Sequence, residues 1–523
     1  MAGAQFKQST RELVKLRCGK LPNPWGIVNG SCDNPTSTMT RFSQPSFLQG
    51  APRPLVLSFS GRGESPFDLY QKVASSTQPS FLLESGKGEV NRHYSFLGSR
   101  PASVLPRPAL APGLSSDDAF LWLRQTIALP GIERTPDLPP FFGGAVGCLS
   151  YDFARRLESL PAVALDDLSL PDMHFALYEV VAAIDHRTNQ IQVIFCPSLD
   201  RFLGEARDKL YREGLDRLAE WEARLTGSVA TPPDPLALTT VSFGPQQTRE
   251  AYLDRVRRCQ DYIAAGDIYQ ANLSHRFAIE IPQDYRSGAG RLQYEQALYQ
   301  QLRSVNPSPF SGLLRFGDMS LISCSPERLV RLQGRRADTR PIAGTRPRGR
   351  NPDDDRRLVR ELLANDKERA EHVMLVDLER NDLGRVCEIG SVHVNEFMAV
   401  EQYSHVSHIV SNVQGTLRPE ATPFDLIGAT FPGGTITGVP KIRCMEIIEE
   451  LEPVRRGPYT GSFGYIGWNG DLDLNIIIRT LVMTGRQGYL QVGAGIVADS
   501  DPAGEYQETL HKAQAFFSAV GHR

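Results

Sequence analysis

The chain reads as an α+β protein, with large antiparallel sheets and flanking helices. Two observations predict this. Alternating apolar segments return on themselves through short polar turns, around residues 175–195 and again over the last hundred residues. Long amphipathic stretches stand between them without the regular strand–helix–strand rhythm of a parallel sheet.

Taken in order, Leu55-Val56-Leu57-Ser58-Phe59 alternates and opens the first strand. Residues 175–184 form a strand, Asp185-His186-Arg187-Thr188-Asn189 turns, and 191–195 returns. Helix-like sequence then leads to Thr226. Residues 227–245, with Pro232-Pro233-Asp234-Pro235, read as a linker between an N-terminal region (52–226) and a C-terminal region (246–523). Beyond it, Tyr252, Val256, Cys259 and Ile263 recur at helical spacing and stop at Gly266. Residues 353–377 predict one long helix. Three strands follow at 459–468, 474–483 and 488–497, with turns at Asn469-Gly470 and Gly485, then a final helix over 503–520.

A formal net charge of −3 over 523 residues gives no reason to expect nucleic acid or an anionic membrane as partner. No apolar run approaches the roughly 18 residues needed to span a bilayer. The eight cysteines are scattered singly, with no CxxC or Cys/His cluster, so reduced thiols in the cytoplasm are expected. Residues 1–51 differ: the first 50 hold six Lys/Arg against two acids, with little periodicity. They read as a basic, low-order extension, whether a transit segment or a disordered bacterial extension.

Three constellations could carry chemistry. Glu368 and Glu371 lie three apart on a helix face, and Glu505 and Glu508 repeat the spacing, followed a turn later by Lys512. Two such pairs on facing helices would cage a hard cation. Taken alone, Glu pairs of this kind are most often solvated faces. The second is the loop at 431–441, where Gly433, Gly434, Thr435, Thr437 and Gly438 could bring backbone N–H groups to an anion. A plain tight loop is the simpler reading, and the spacing is not that of a nucleotide P-loop. The third comprises His408, Tyr459, Arg479, Gly493 and Gly495. Arg479 follows an Ile run, so its guanidinium needs an anion nearby, from the protein or a substrate. No GxSxG elbow or HExxH helix is present, and Val146-Gly147-Cys148-Leu149-Ser150 lacks the second Gly of an elbow. A glutaminase with its own Cys nucleophile is therefore not expected.

Four ordered segments resemble the chorismate-utilising enzymes, in the branch that adds an amine. They are Arg340-Pro341-Ile342-Ala343-Gly344-Thr345-Arg346-Pro347-Arg348-Gly349, Val376-Asp377-Leu378-Glu379-Arg380-Asn381-Asp382, the Gly433 to Lys441 loop, and Ile478-Arg479-Thr480. The resemblance runs from about residue 52 and implies antiparallel sheets packed as a sandwich with flanking helices. It implies that Glu368, Glu371, Glu505 and Glu508 surround Mg²⁺, which binds the ring carboxylate of chorismate. It assigns Tyr459, Arg479 and Gly495 to the enolpyruvyl carboxylate and Thr435 to the ring side, with Gly434 and Gly493 also among the substrate-binding residues. Lys512 and the loop N–H groups add charge against a dianion. His408 matches the family's proton-transfer histidine, with a suitable pKa range.

Gln270 stands where the water-adding members of the family place a Lys base. A neutral amide is no base, so an amine nucleophile is expected. The Gly433-Gly434-Thr435-Ile436-Thr437 loop, Asn272, Asn475 and Asn306-Pro307-Ser308-Pro309-Phe310-Ser311 resemble aminodeoxychorismate synthase component I more than anthranilate synthase component I. Ala343 departs from this pattern, because some aminodeoxychorismate synthases carry a nucleophilic Lys there. The resemblance therefore implies amination of chorismate with ammonia from a separate glutaminase subunit, the 4-amino product being favoured over anthranilate. An inactive, amino-acid-binding relative is the reading from another class. Leu83, Glu84 and Ser85, with Asn306 and Pro307, resemble the tryptophan pocket of anthranilate synthases; packed core is the plainer reading.

Overall fold

In the computed structural model the described residues are 47, 52–85, 93–105, 116–127, 132, 136–228, 242–402 and 406–520. All belong to one compact unit, Thr38–Arg523. Residues 1–46 of the predicted extension, and 229–241 of the predicted linker, lie outside them.

Two antiparallel sheets form the body. The larger has 12 strands, in the order Leu55–Ser60, Gln190–Phe195, Val180–Asp185, Tyr94–Ser99, Ser80–Glu84, Phe310–Arg315, Met319–Ser325, Thr480–Thr484, Gln487–Ile496, Gln270–Glu280 and Gly438–Val439. Gly244–Pro245 pairs off this path with Gln270–Glu280. The second has 10 strands, in the order Ile342–Pro347, Val406–Thr416, Arg336–Thr339, Arg328–Gln333, Leu472–Asn475, Ser462–Gly467, Gly144–Leu149, Met173–Tyr178 and Ser103–Leu105. His393–Gln402 pairs with Val406–Thr416. Each sheet draws strands from both sides of the 229–241 segment.

Inner faces of the two sheets interdigitate as a sandwich. Phe81 meets Tyr178 with ring centroids 4.7 Å apart, and Phe96 meets Tyr465 at 5.6 Å. One apolar core runs through both sheets. A smaller cluster, with Tyr252, Val256 and Cys259, packs the helix Arg249–Ala264 against Gln270–Glu280. No described helix is long and apolar enough to cross a membrane.

Two predicted strands are each two strands in different sheets. The 175–184 segment breaks at Glu179: Met173–Tyr178 stays in the second sheet and Val180–Asp185 enters the larger. Glu179 is buried and ion-paired with Arg201 at 2.6 Å, which holds the corner. The 474–483 segment crosses likewise, from Leu472–Asn475 to Thr480–Thr484, leaving Ile476 to Arg479 outside either ladder. The predicted helix at 353–377 is also two, Pro352–Ala364 and Asp366–Gly384. Asn365 separates them, because its side chain accepts from Glu368 N and caps the second helix.

Candidate active site

One cleft, enclosing about 1930 Å³ including its mouth, gathers most of the predicted residues. Glu368 and Glu371 come from the first turns of Asp366–Gly384, Glu505 and Glu508 from the first two turns of Pro502–Ala519, and Lys512 from a turn further along that helix. His408 enters from Val406–Thr416, Ala343 from Ile342–Pro347, Gln270 from the start of Gln270–Glu280 and Gly495 from its ladder partner. Arg479 enters from the crossing between sheets.

Arg479 is the cation of this cleft that the protein leaves unpaired: its guanidinium has no ion pair or hydrogen bond among the described residues. Burial pushes its pKa down, and Cys324 and Glu327 push it back up. Its φ is +48°, a left-handed conformation that costs a non-glycine residue about 1 kcal/mol or more. The strain is held by tertiary contacts. Arg479 O accepts from Cys324 N at 3.0 Å, and two residues earlier Ile477 exchanges backbone bonds with Thr460 and Gly461 at 2.8 Å. Thr460 is itself left-handed, with φ +59°.

The glutamates line the cleft without closing into a cluster. Glu368 pairs with Arg346 at 3.0 Å, Glu508 with Lys512 at 2.8 Å, and Glu505 accepts from Ser500 Oγ at 2.6 Å. Glu371 has no such partner among the described residues. Burial raises its pKa, and the carboxylates of Glu368 and Glu505 raise it further against Lys367. Glu505 is raised by burial and by Glu508. No group of three or more His, Cys, Asp or Glu side chains among the described residues stands close enough to hold a metal ion. The donors fit a hard cation in kind: all are carboxylates, and mutually repelling ones favour a shared positive charge.

His408 is buried. Burial, then the Arg479 charge, pushes it down to about 4, so it is neutral at physiological pH. Gln270 presents a buried Oε1 without a hydrogen-bond partner, and Asn272 Oδ1, on the same strand face, is in the same state. Both face glycines across the ladder. A Cβ on Gly493 would lie 2.6 Å from Asn272 Oδ1 and 2.8 Å from Tyr459 Oη. Only glycine admits the two polar groups.

Gly434, Thr435, Tyr459 and Gly493 are not among the residues lining the cleft; they stand behind it. Gly493 is tied to it through its carbonyl, which accepts from Lys512 Nζ at 2.9 Å. Gly434 packs on Leu378. Thr435 stands beside Glu327, a residue sequence reading missed. Glu327 follows Pro326 of the cleft lining and is buried; burial drives its pKa up to about 7, with Thr435, Arg479 and Lys512 holding it from rising further. A charged Glu-Arg pair directly after the uncharged strand Met319–Ser325 and a Pro was the available signal.

Leu83, Glu84 and Ser85 line a separate cavity of about 630 Å³ with Tyr94, Phe310, Tyr465 and Asn475. Asn306 and Pro307, expected beside them, line the cleft instead. Glu84 is already engaged by Arg303 at 2.8 Å and by Tyr299.

Fold and cleft together set a guanidinium without a protein partner among the described residues and a set of carboxylates around one cavity. Residues 63–518 match the family model for chorismate binding enzymes, and the chain belongs to that family. It is 45% identical over 473 residues to anthranilate synthase component 1 of Thermus thermophilus, covering 90% of this chain and 98% of that one. It is 41% identical over 476 residues to aminodeoxychorismate synthase component 1 of Bacillus subtilis, covering 90% and 97%. The crystal structure of anthranilate synthase component I from Streptococcus pneumoniae superposes with a TM-score of 0.69 at 32% identity, over 87% of this chain and 98% of that one. The chain is thus a chorismate-utilising enzyme close to anthranilate synthase I.

Proposed function

We propose that this enzyme aminates chorismate to 4-amino-4-deoxychorismate, using ammonia from a separate glutaminase subunit, as aminodeoxychorismate synthase component I. The observation that carries amine over water is Gln270, a neutral amide in the cleft with an unpartnered carbonyl oxygen. It cannot remove a proton from water, but it can accept a hydrogen bond from an incoming amine. The 4-amino product is supported by the Gly433-Gly434-Thr435-Ile436-Thr437 loop, Asn272, Asn475 and the Asn306 to Ser311 segment.

Arg479 binds one carboxylate of the dianion, and its left-handed backbone fixes the direction of approach. Glu368, Glu371, Glu505 and Glu508 would hold Mg²⁺ toward the other carboxylate, some through water. When bound, that ion supplies positive charge that draws electron density from the ring. Glu327, protonated up to about pH 7, donates to the departing ring hydroxyl. His408, neutral, takes a proton from the entering amine.

Ala343, in the cleft lining, favours a second reading, since it offers no nucleophile for a covalent intermediate. Under that reading the product is anthranilate. One assay separates them. Chorismate, Mg²⁺ and ammonium alone give blue-fluorescent anthranilate under the second reading. Under the first, p-aminobenzoate forms only after a separate lyase is added. Fluorescent product without lyase overturns the proposal.

A further inference from the structure

If Glu327 is the acid, it gives up one proton per turnover at a place that a bound substrate seals from solvent; it is 7% exposed. A second buried carboxyl stands behind it. Glu379, 5% exposed, projects from Asp366–Gly384 beneath the loop carrying Gly434 and Thr435. A Cβ on Gly434 would lie 3.7 Å from Glu379 Oε1, and Glu379 Oε2 is buried without a hydrogen-bond partner. One turn along the same helix face, Asp382 forms an ion pair with Lys441 at 2.5 Å, and Lys441 Nζ also reaches Thr430 O at 3.3 Å. Asp382 and Lys441 line a second groove, of about 1340 Å³, that shares no lining residue with the chorismate cleft.

We propose that Glu379 and the Asp382–Lys441 pair form a proton path that reloads Glu327 from this second groove while the cleft is filled. The inference rests on the acid role of Glu327 proposed above. When the ring C–O bond breaks, its electron pair leaves with the oxygen, and the Glu327 proton joins it to make water. The Glu327 carboxylate takes a proton from Glu379 past the Thr435 hydroxyl. Glu379 takes one from water of the second groove, where the Asp382–Lys441 pair stands. The amine, having bonded through its lone pair, gives one proton to His408, which returns it to solvent when product leaves, so protons balance and nothing is oxidised or reduced.

Charges facing the path fit this traffic. Glu327 is faced by Arg479 and Lys512, and Glu379 by Asp382, Lys441 and Glu327, with Thr339 beside it. Burial, then the Asp382 carboxylate, pushes Glu379 up to about 8, so it carries its proton at neutral pH. Glu379 touches no substrate; it acts only through Glu327.

The test compares full-length enzyme with Mg²⁺, ammonium and chorismate across pH, in H₂O and D₂O. Glu379→Gln should lower kcat about tenfold or more, leave the KM for chorismate within twofold, enlarge the solvent isotope effect and move the alkaline fall of kcat to lower pH. Glu379→Asp should restore part of the rate. A Glu379→Gln enzyme with wild-type kcat and pH profile overturns the path, as does a pH-independent loss with a raised KM. An inactive Glu327→Gln beside a normal Glu379→Gln removes the path alone, whereas a normal Glu327→Gln removes the acid role itself. Should Glu379→Gln not fold, the neutral double variant Asp382→Asn/Lys441→Gln should shift the profile the same way, and an unshifted profile overturns the path.

Discussion

Nδ1 of His408 lies 3.0 Å from the hydroxyl of Thr345 and 3.3 Å from the carbonyl oxygen of Gly344. The carbonyl can only accept, so that contact requires Nδ1–H and makes Nε2 the basic nitrogen. Strand pairing places Thr345 opposite His408 in the ladder, so the tautomer is set by the sheet itself.

A bell-shaped pH dependence follows for kcat/KM of the free enzyme. His408 must be neutral, which holds above about 4, and Glu327 must be protonated, which holds below about 7. The acidic limb should disappear in His408→Ala and the alkaline limb in Glu327→Gln, at much reduced rates.

Stability should carry the mark of Glu327 as well. Its carboxyl is raised from 4.5 to about 7, so the native state binds more protons than the unfolded chain between those values. Stability attributable to this group is full below 4.5 and falls as pH rises through that window, by roughly 3 kcal/mol at most. Urea unfolding at several pH values should show a shallower decline for Glu327→Gln than for wild type.

Arg479→Ala should leave the fold intact and lower kcat/KM for chorismate by about 10- to 100-fold, the worth of a charge-assisted bond to carboxylate. Arg479→Lys should recover little, because Lys lacks the planar fork. Isothermal titration with chorismate in the presence of Mg²⁺ reads the binding part directly.

Glu371→Gln removes a half-buried, unpartnered carboxylate that faces two others. Without Mg²⁺ the variant should melt no lower than wild type. The rise in Tm that Mg²⁺ gives the wild type should shrink, since a donor is lost. An unchanged Mg²⁺-dependent shift would remove Glu371 from the cation site.

Ala343→Lys places an amine in the cleft lining. The ratio of 2-amino to 4-amino product, read by chromatography, should move toward the 4-amino isomer. An unaltered ratio would show that this position does not steer where ammonia enters.

Much of the architecture was legible because its signals are local. The strands at 55–59 and 191–195 and the closing helix follow directly from periodicity. The two corners at Glu179 and at Ile476 to Arg479 were not, since both flanks of each are apolar and a strand that changes sheets looks like one that does not. Asn365 was overlooked because a cap between two abutting helices leaves helical spacing almost unbroken. In the site, the glutamates, His408 and Arg479 showed in motif and spacing. Glu327 did not, and Glu379 stood within the 376–382 motif without a role: their chemistry comes from burial, which depends on what the distant loop at 433–438 lays over them.

The corners at Glu179 and at Ile476 to Arg479 work like stitches through two layers of cloth. The front half of the chain lays a block of strands along one end of each sheet, seamed to the back half at one ladder per sheet, Ser80–Glu84 on Phe310–Arg315 and Gly144–Leu149 on Ser462–Gly467, so a cut between the halves opens both seams at once. A fragment ending near residue 228, or one starting near 242, would expose raw strand edges and should collect in inclusion bodies. The two fragments expressed together should close both seams, and with them the cavity that Leu83 and Glu84 share with Phe310 and Tyr465.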